Sequence, residues 1–269
     1  MGKYEPPYTI SNKMLELVSS ISEKVGKISS HRELEARPHL RKNNRIRSIH
    51  SSLKIEANSL SLAEVRDVIN GHLVLGDQKE IQEVKNAYAA YEKISEINPQ
   101  SMSDLKKIHG IMTYRTVEES GVFRKGEEGV FSGDQCIFVA PPPNMVNELM
   151  KDLFSWVKNS EGTIHPLIVS AVFHYEFVFV HPFADGNGIL SRLVMNYIQQ
   201  YHQMPLSVVY KEDKQDYFDA LQETRKNEDI SIFRNFMFSQ TEKFLTEQIE
   251  ELTQKQTSKN TGKGFSFLF

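Results

Sequence analysis

The sequence predicts a mainly α-helical protein, on three observations. Apolar residues recur at steps of three and four through most of the chain, helix-starting and helix-stopping residues separate those runs, and a single short stretch is β-prone. With 269 residues, 39% of them hydrophobic, and a mean hydropathy of -0.43, the chain can bury one substantial core or one core plus a smaller extension.

Taken in order, Ser11 to Glu35 carries Met14, Leu15, Val18, Ile21, Val25 and Ile28 at helical spacing and closes before Pro38. A second helix follows with Ile46, Ile49 and Leu53 on one face. Ser48, Ser52 and Glu56 stand four apart on another. Read alone, Glu56 is a solvated surface carboxylate. Ser61 and Glu64 form a capping box that opens a short helix ending near Asn70-Gly71. Gln78 to Ile97 follows, with Ile81, Val84, Tyr88, Tyr91 and Ile94, and stops before Pro99. Ser103-Asp104 then starts a helix through Leu105, Ile108 and Met112.

Helical periodicity breaks between Gly121 and Pro143. Cys136-Ile137-Phe138-Val139 is β-prone, and Ser132-Gly133-Asp134 gives a turn just before it, so this stretch predicts a small hairpin flap beside a helical core. Asn144 resumes a helix whose Met145, Leu149, Leu153 and Trp156 share a face, and Pro166 opens a buried helix leading to His181. Asp216–Arg225 and Ile230–Leu252 read as helices. Lys255–Phe269 is polar, then aromatic, and reads as a tail that orders on meeting a partner.

Charge excludes one class of function. Lys and Arg total 32 against 35 Asp and Glu, a net charge of -3, which gives no general attraction for nucleic acid. One cysteine, Cys136, excludes a disulfide framework and suits a reducing compartment. No apolar run approaches the roughly 18 residues of a membrane span, and the start lacks the apolar centre of a signal peptide. We expect a cytoplasmic protein that binds neither membrane nor nucleic acid. There is no Walker loop, dinucleotide fingerprint, HExxH or nucleophile elbow. His165, His174 and His181 lack the further Cys or His that would complete a zinc site, and His174 reads as a core histidine.

The densest chemistry is His181 to Arg192, HPFADGNGILSR. Pro182 ends the buried helix before it. Ile189, Leu190, Leu193, Val194, Tyr197, Ile198 and Tyr201 begin another, so Gly186-Asn187-Gly188 sits at a helix N-terminus. Unpaired N–H groups and the helix dipole favour an anion there, and glycine lets a phosphate approach the main chain. Arg192, one turn in on the polar flank, can meet the outer part of that anion. The residues describe a phosphate loop with a histidine at its mouth.

This stretch resembles the signature of the Fic family, HxFx(D/E)GNGRxxR, at His181, Phe183, Asp185, Gly186, Asn187, Gly188 and Arg192. Gly121-Val122-Phe123-Arg124, the hairpin ending in Ala140-Pro141-Pro142-Pro143, and the helix before His181 resemble the family core in the same order. The resemblance implies a Fic-type helical core with a β-hairpin flap and an N-terminal helical extension. We expect an N-terminal region at 1–100, a core at 101–250 and a tail at 251–269.

The implied activity is protein adenylyltransfer, moving AMP from ATP to a Ser, Thr or Tyr hydroxyl with Mg²⁺. His181 would be the general base, Asp185 the Mg²⁺ ligand, Gly186, Asn187 and Gly188 the phosphate cradle, and Arg192 the γ-phosphate contact. Phe183 would be a packing anchor. The flap would pair with an extended segment of the target protein, and a homodimer is compatible with the family pattern. Ser52-Leu53-Lys54-Ile55-Glu56-Ala57-Asn58 resembles the inhibitory motif (S/T)xxxE(G/N), in which the glutamate would pair with Arg192 and keep the γ-phosphate from its productive place. Removal of AMP is a second activity of some relatives. Two residues depart from the pattern: Ala57 stands for Gly or Asn, and Ile189 for the first signature arginine. Ile189 keeps a second reading open, a nucleotide-binding or protein-interaction module that has lost transfer. Transfer of a different phosphate-linked group is a third.

Overall fold

The computed structural model describes Pro6 and residues 10–30, 38–132 and 135–261. Among these residues it is helical apart from one hairpin. The helices are α1 (Asn12–Ser30), α2 (Pro38–Ile55), α3 (Leu62–Ile69), α4 (Gln78–Lys93), α5 (Met102–Met112), α6 (Pro143–Ser160), α7 (Pro166–Val180), α8 (Asn187–Tyr201), α9 (Lys214–Asn227) and α10 (Ser231–Thr261).

The centre is α7 packed along α8, with α6 and α10 against α7 and α2 and α5 touching α8. Helix α7 is apolar nearly all round, which fits burial over most of its surface: Leu167, Val172, Phe173 and Phe177 have no accessible surface, and Phe179 near its end is exposed. One continuous apolar cluster runs from Met14 in α1 to Leu245 in α10. The N-terminal helices therefore share the core of the rest.

Several boundaries follow from local chemistry. The Ser61 hydroxyl accepts from the Glu64 N–H, and Glu64 accepts from the Ser61 N–H at 2.7 Å, the expected capping box at the start of α3. Helix α4 gives way at Ile94 to a 3₁₀ turn through Glu96. Helix α5 starts earlier than the sequence suggests, because the Ser101 hydroxyl accepts from the Asp104 N–H at 3.2 Å.

Two predicted stripes shift by a residue or two. In α1, Leu17 is buried and Leu15 is 54% exposed; in α6, Val146 is buried and Met145 is 45% exposed. Adjacent apolar residues give periodicity two solutions, and packing neighbours decide between them. Tyr201, at the end of the α8 stripe, is likewise exposed. Helix α10 continues to Thr261, so 251–261 extends a helix, and the remainder of the expected tail, 262–269, lies outside the described residues.

The hairpin pairs β1 (Gly129–Ser132) with β2 (Gln135–Val139) in antiparallel register, Val130 opposite Phe138 and Phe131 opposite Cys136, with a bulge between the two pairs. The predicted turn at Ser132-Gly133-Asp134 lies partly outside the described residues. Phe138 packs near Phe179 and His181 at ring separations of 5.9 and 6.4 Å, which fixes the flap over the end of α7.

The end of α2 sets the position of Glu56. The Ala57 N–H donates to Lys54 O at 3.2 Å and the Asn58 N–H to Leu53 O at 3.1 Å, a Schellman closure that places residue 57 at a φ of 68°. That conformation favours Gly or Asn and costs alanine roughly 1 kcal/mol. Ala57→Gly is therefore expected to raise the unfolding free energy by about 0.5–1 kcal/mol, read from urea denaturation at unchanged m-value. No gain would mean that the strain is absent.

Candidate active site

Helix α7 ends and α8 begins inside the signature stretch. His181 caps α7 in the left-handed region, φ 49° and ψ 58°, and Gly186 starts α8 with a φ of 77°. Gly186 is required for space as well: a Cβ there would come within 3.1 Å of Thr113 Cγ2. The turn between them is closed by Asn187, whose amide donates to Phe183 O at 2.7 Å while its Oδ1 accepts from the Phe183 N–H at 2.9 Å. The Asn187 side chain is thus a clasp within the loop. Only its backbone is left to face an anion.

A second clasp comes from a residue to which the sequence assigned no role. His109, fully buried in α5, accepts from the Gly121 N–H through Nδ1 at 2.8 Å, so Nε2 carries the proton and donates to Asp185 O at 3.0 Å. Its ring stacks on Phe183 at 3.7 Å, and Phe183 is fully buried, the packing anchor expected. Burial depresses the His109 pKa, although the Asp185 carbonyl and carboxylate work against that shift. The Asp185 side chain itself is exposed, with Oδ1 accepting from the Gly186 N–H at 2.6 Å.

Arg124 is the third device. Only 3% exposed, it donates to His181 O at 2.6 Å, Pro141 O at 2.6 Å, Gly126 O at 2.8 Å and Val180 O at 3.3 Å. One guanidinium thereby ties the left-handed His181 to the base of the flap. Arg124→Met is expected to lower stability by about 3 kcal/mol, because several buried carbonyls lose their donor. Denaturant unfolding checks this; a loss below about 1 kcal/mol would show that water replaces the guanidinium.

The His181 imidazole is half-buried at the mouth of the site. Burial lowers its pKa; the Val178 carbonyl and the Glu56 and Asp185 carboxylates oppose the shift, while Arg124 adds to it. The ring is therefore mainly neutral at neutral pH.

Arg192 is buried, at 4%, rather than on the polar flank the sequence suggests. Its Nε donates to Ser52 Oγ at 2.8 Å, and its Nη2 donates to Ser52 O at 3.0 Å and Glu56 Oε1 at 2.7 Å. Burial works most strongly against its charge, but the Glu56 carboxylate and the Tyr217 hydroxyl together outweigh that and raise its pKa. Glu56 also sits on the start of α8. A Cβ on Gly188 would overlap Glu56 Oε1 and lie 3.1 Å from the carboxyl carbon. The glutamate side chain is 40% exposed, so its side of the ion pair is open to water. The carboxylate thus lies beside Gly188 in the first turn of α8, and Arg192 holds it there. His181, Asp185, Gly186, Asn187, Gly188, Arg192, Ser52 and Glu56 all come together in one place.

Comparison with known proteins gives this geometry a family. Residues 99–199 match the Fic/DOC family model. A Fic family protein of Desulfovibrio desulfuricans G20 is 38% identical in sequence, and superposition gives a TM-score of 0.87 over 92% of this chain and 77% of that one. The chain belongs to the Fic/DOC family. The 92% coverage extends well beyond the matched core, so most of the N-terminal helices are shared with that relative. Fic-1 of C. elegans has the same fold, with a TM-score of 0.71 at 24% identity over 90% of this chain and 76% of that one. The protein adenylyltransferase Fic of Aedes aegypti is 30% identical over 210 residues, 74% of this chain and 41% of that protein. This Fic chain therefore spans about four-tenths of the length of the curated relatives it matches.

Among the described residues, no helix is long and apolar enough to cross a membrane.

Proposed function

We propose that this chain is a protein adenylyltransferase that transfers AMP from ATP to a protein hydroxyl and is held inactive by Glu56. The observation that carries the reading is the Glu56 carboxylate seated on Gly188 at the start of α8 and bonded to Arg192 at 2.7 Å. A site that accepts a carboxylate against a buried guanidinium has the chemistry for a phosphate oxygen.

The donor set also suits Mg-ATP. Asp185 offers an exposed carboxylate beside the loop, a hard oxygen for a hard cation. Magnesium there would neutralise phosphate charge as the bond to the α-phosphorus changes. His181 takes the proton from the incoming Ser, Thr or Tyr hydroxyl, its low pKa leaving the ring free to accept it. The N–H groups that open α8 stabilise charge on the α-phosphate oxygens. Arg192, released from Glu56, meets the γ-phosphate while Ser52 keeps the guanidinium oriented. The exposed end of the flap at Val139 is the place for an extended target segment. In the same reading, the Glu56 carboxylate with the pair closed orients water for removal of AMP, as in some relatives of the family. A cytoplasmic setting suits the single cysteine.

Ile189 favours the second reading, a module that binds nucleotide without transfer, because it is packed partly buried against the core and adds no charge to the site. Labelled-AMP transfer to lysate proteins by wild type, Glu56→Gly and Glu56→Gly/His181→Ala separates the two. Label in Glu56→Gly alone supports the transferase. ATP binding without label in any variant supports the module.

A further inference from the structure

A narrow cleft runs along the signature loop on the side facing α4. Lys79, Glu83, Thr113, Asp185, Gly186 and Ile189 lie on its walls. Their chemistry is lopsided. Ile189 brings hydrocarbon only, and the Thr113 hydroxyl donates to His109 O at 2.7 Å. Two carboxylates face the space. Glu83 accepts from Asn58 Nδ2 at 2.9 Å, and burial raises its pKa, with Asp185 adding to that shift and Lys79 opposing it. Lys79 lies in the first turn of α4, one turn before Glu83 on the same face. Among the described residues, its ammonium makes no hydrogen bond or ion pair.

We propose that Lys79 is a phosphate-positioning residue, reaching the nucleotide from α4 across a cleft to which position 189 contributes no charge. The inference rests on the nucleotide-binding reading above. Arg192 approaches the loop from the α2 side and is committed to Ser52 and Glu56. On the α4 wall of the cleft Glu83 repels a polyphosphate, and Lys79 is the cation on the same wall that offsets it. A lysine suits the task because a point charge on a flexible four-carbon stem can follow a phosphate without fixed geometry. The side chain is exposed and unbonded in this state, so ligand binding breaks no existing contact of its ammonium.

The test is made in the Glu56→Gly background, with Mg-ATP and adenosine as calorimetric probes and thermal melting as the folding control. Lys79→Ala is expected to weaken ATP about tenfold, leave adenosine within about twofold, and raise KM for ATP with kcat little changed. Ile189→Arg added to Lys79→Ala is expected to recover most of the ATP affinity, since a guanidinium from 189 enters the same cleft. Unchanged ATP affinity, an equal loss for adenosine, or no recovery with arginine at 189 overturns the proposal. If Glu56→Gly itself binds no ATP, the nucleotide-binding reading falls first and this one with it.

Discussion

Glu56→Gly is expected to raise AMP transfer about 10- to 100-fold over wild type. The basis is the competition at Arg192. The contact removed is a charge-assisted bond from a guanidinium that is 4% exposed to a carboxylate that is 40% exposed. Such bonds contribute about 1.5–3 kcal/mol, and a factor of ten corresponds to about 1.4 kcal/mol. Glycine also vacates the space above Gly188 that the carboxyl group fills. Ser52 remains and still accepts from Arg192 Nε at 2.8 Å, so the guanidinium keeps its orientation when its partner is lost. This separates release of inhibition from collapse of the site. Ser52→Ala in the same background therefore removes part of the gain. Equal transfer by wild type and Glu56→Gly would mean that the ion pair does not control access.

His181→Ala in the activated background is expected to lower transfer by about 10²- to 10⁴-fold, the range for loss of a general base, while ATP affinity changes little. The pH profile carries the sharper prediction. Burial sets the folded pKa of His181 below 6.5, and the base works when neutral. Activity of Glu56→Gly should stay level from pH 8 down past the ordinary histidine range near 6.5, then fall as pH drops through the lowered value. Removing Glu56 removes a carboxylate that opposes the shift, so the acidic limb in Glu56→Gly lies below that of wild type. A limb centred above the ordinary value would show that the imidazole is more solvated than its packing against the flap and α7 implies.

What could be read from the sequence divides by distance along the chain. The phosphate loop was legible because its logic is local: Pro182 after His181, glycines at 186 and 188, and the apolar stripe from Leu190 all lie within a few turns. The capping box and the Pro166 start of α7 were legible for the same reason. The clasps were not. Arg124 meets His181 across 57 residues, and His109 meets Asp185 across 76, and no periodicity signals either pairing. Glu56 and Arg192 are 136 residues apart, and only the resemblance of the surrounding motif pointed from one to the other. Asn187 shows the converse: its residue type suited a phosphate cradle, but its amide is spent on the Phe183 backbone. The choice between Leu15 and Leu17, or Met145 and Val146, depended on neighbours that only the folded chain supplies.

The central claim is that the Glu56 carboxylate occupies the place of the terminal phosphate. Calorimetric titration of wild type and Glu56→Gly with Mg-ATP and with AMP tests it most directly. The account predicts that Glu56→Gly binds ATP at least about tenfold more tightly than wild type while AMP affinity stays within about twofold. An equal gain for both nucleotides, or no gain for ATP, would contradict it.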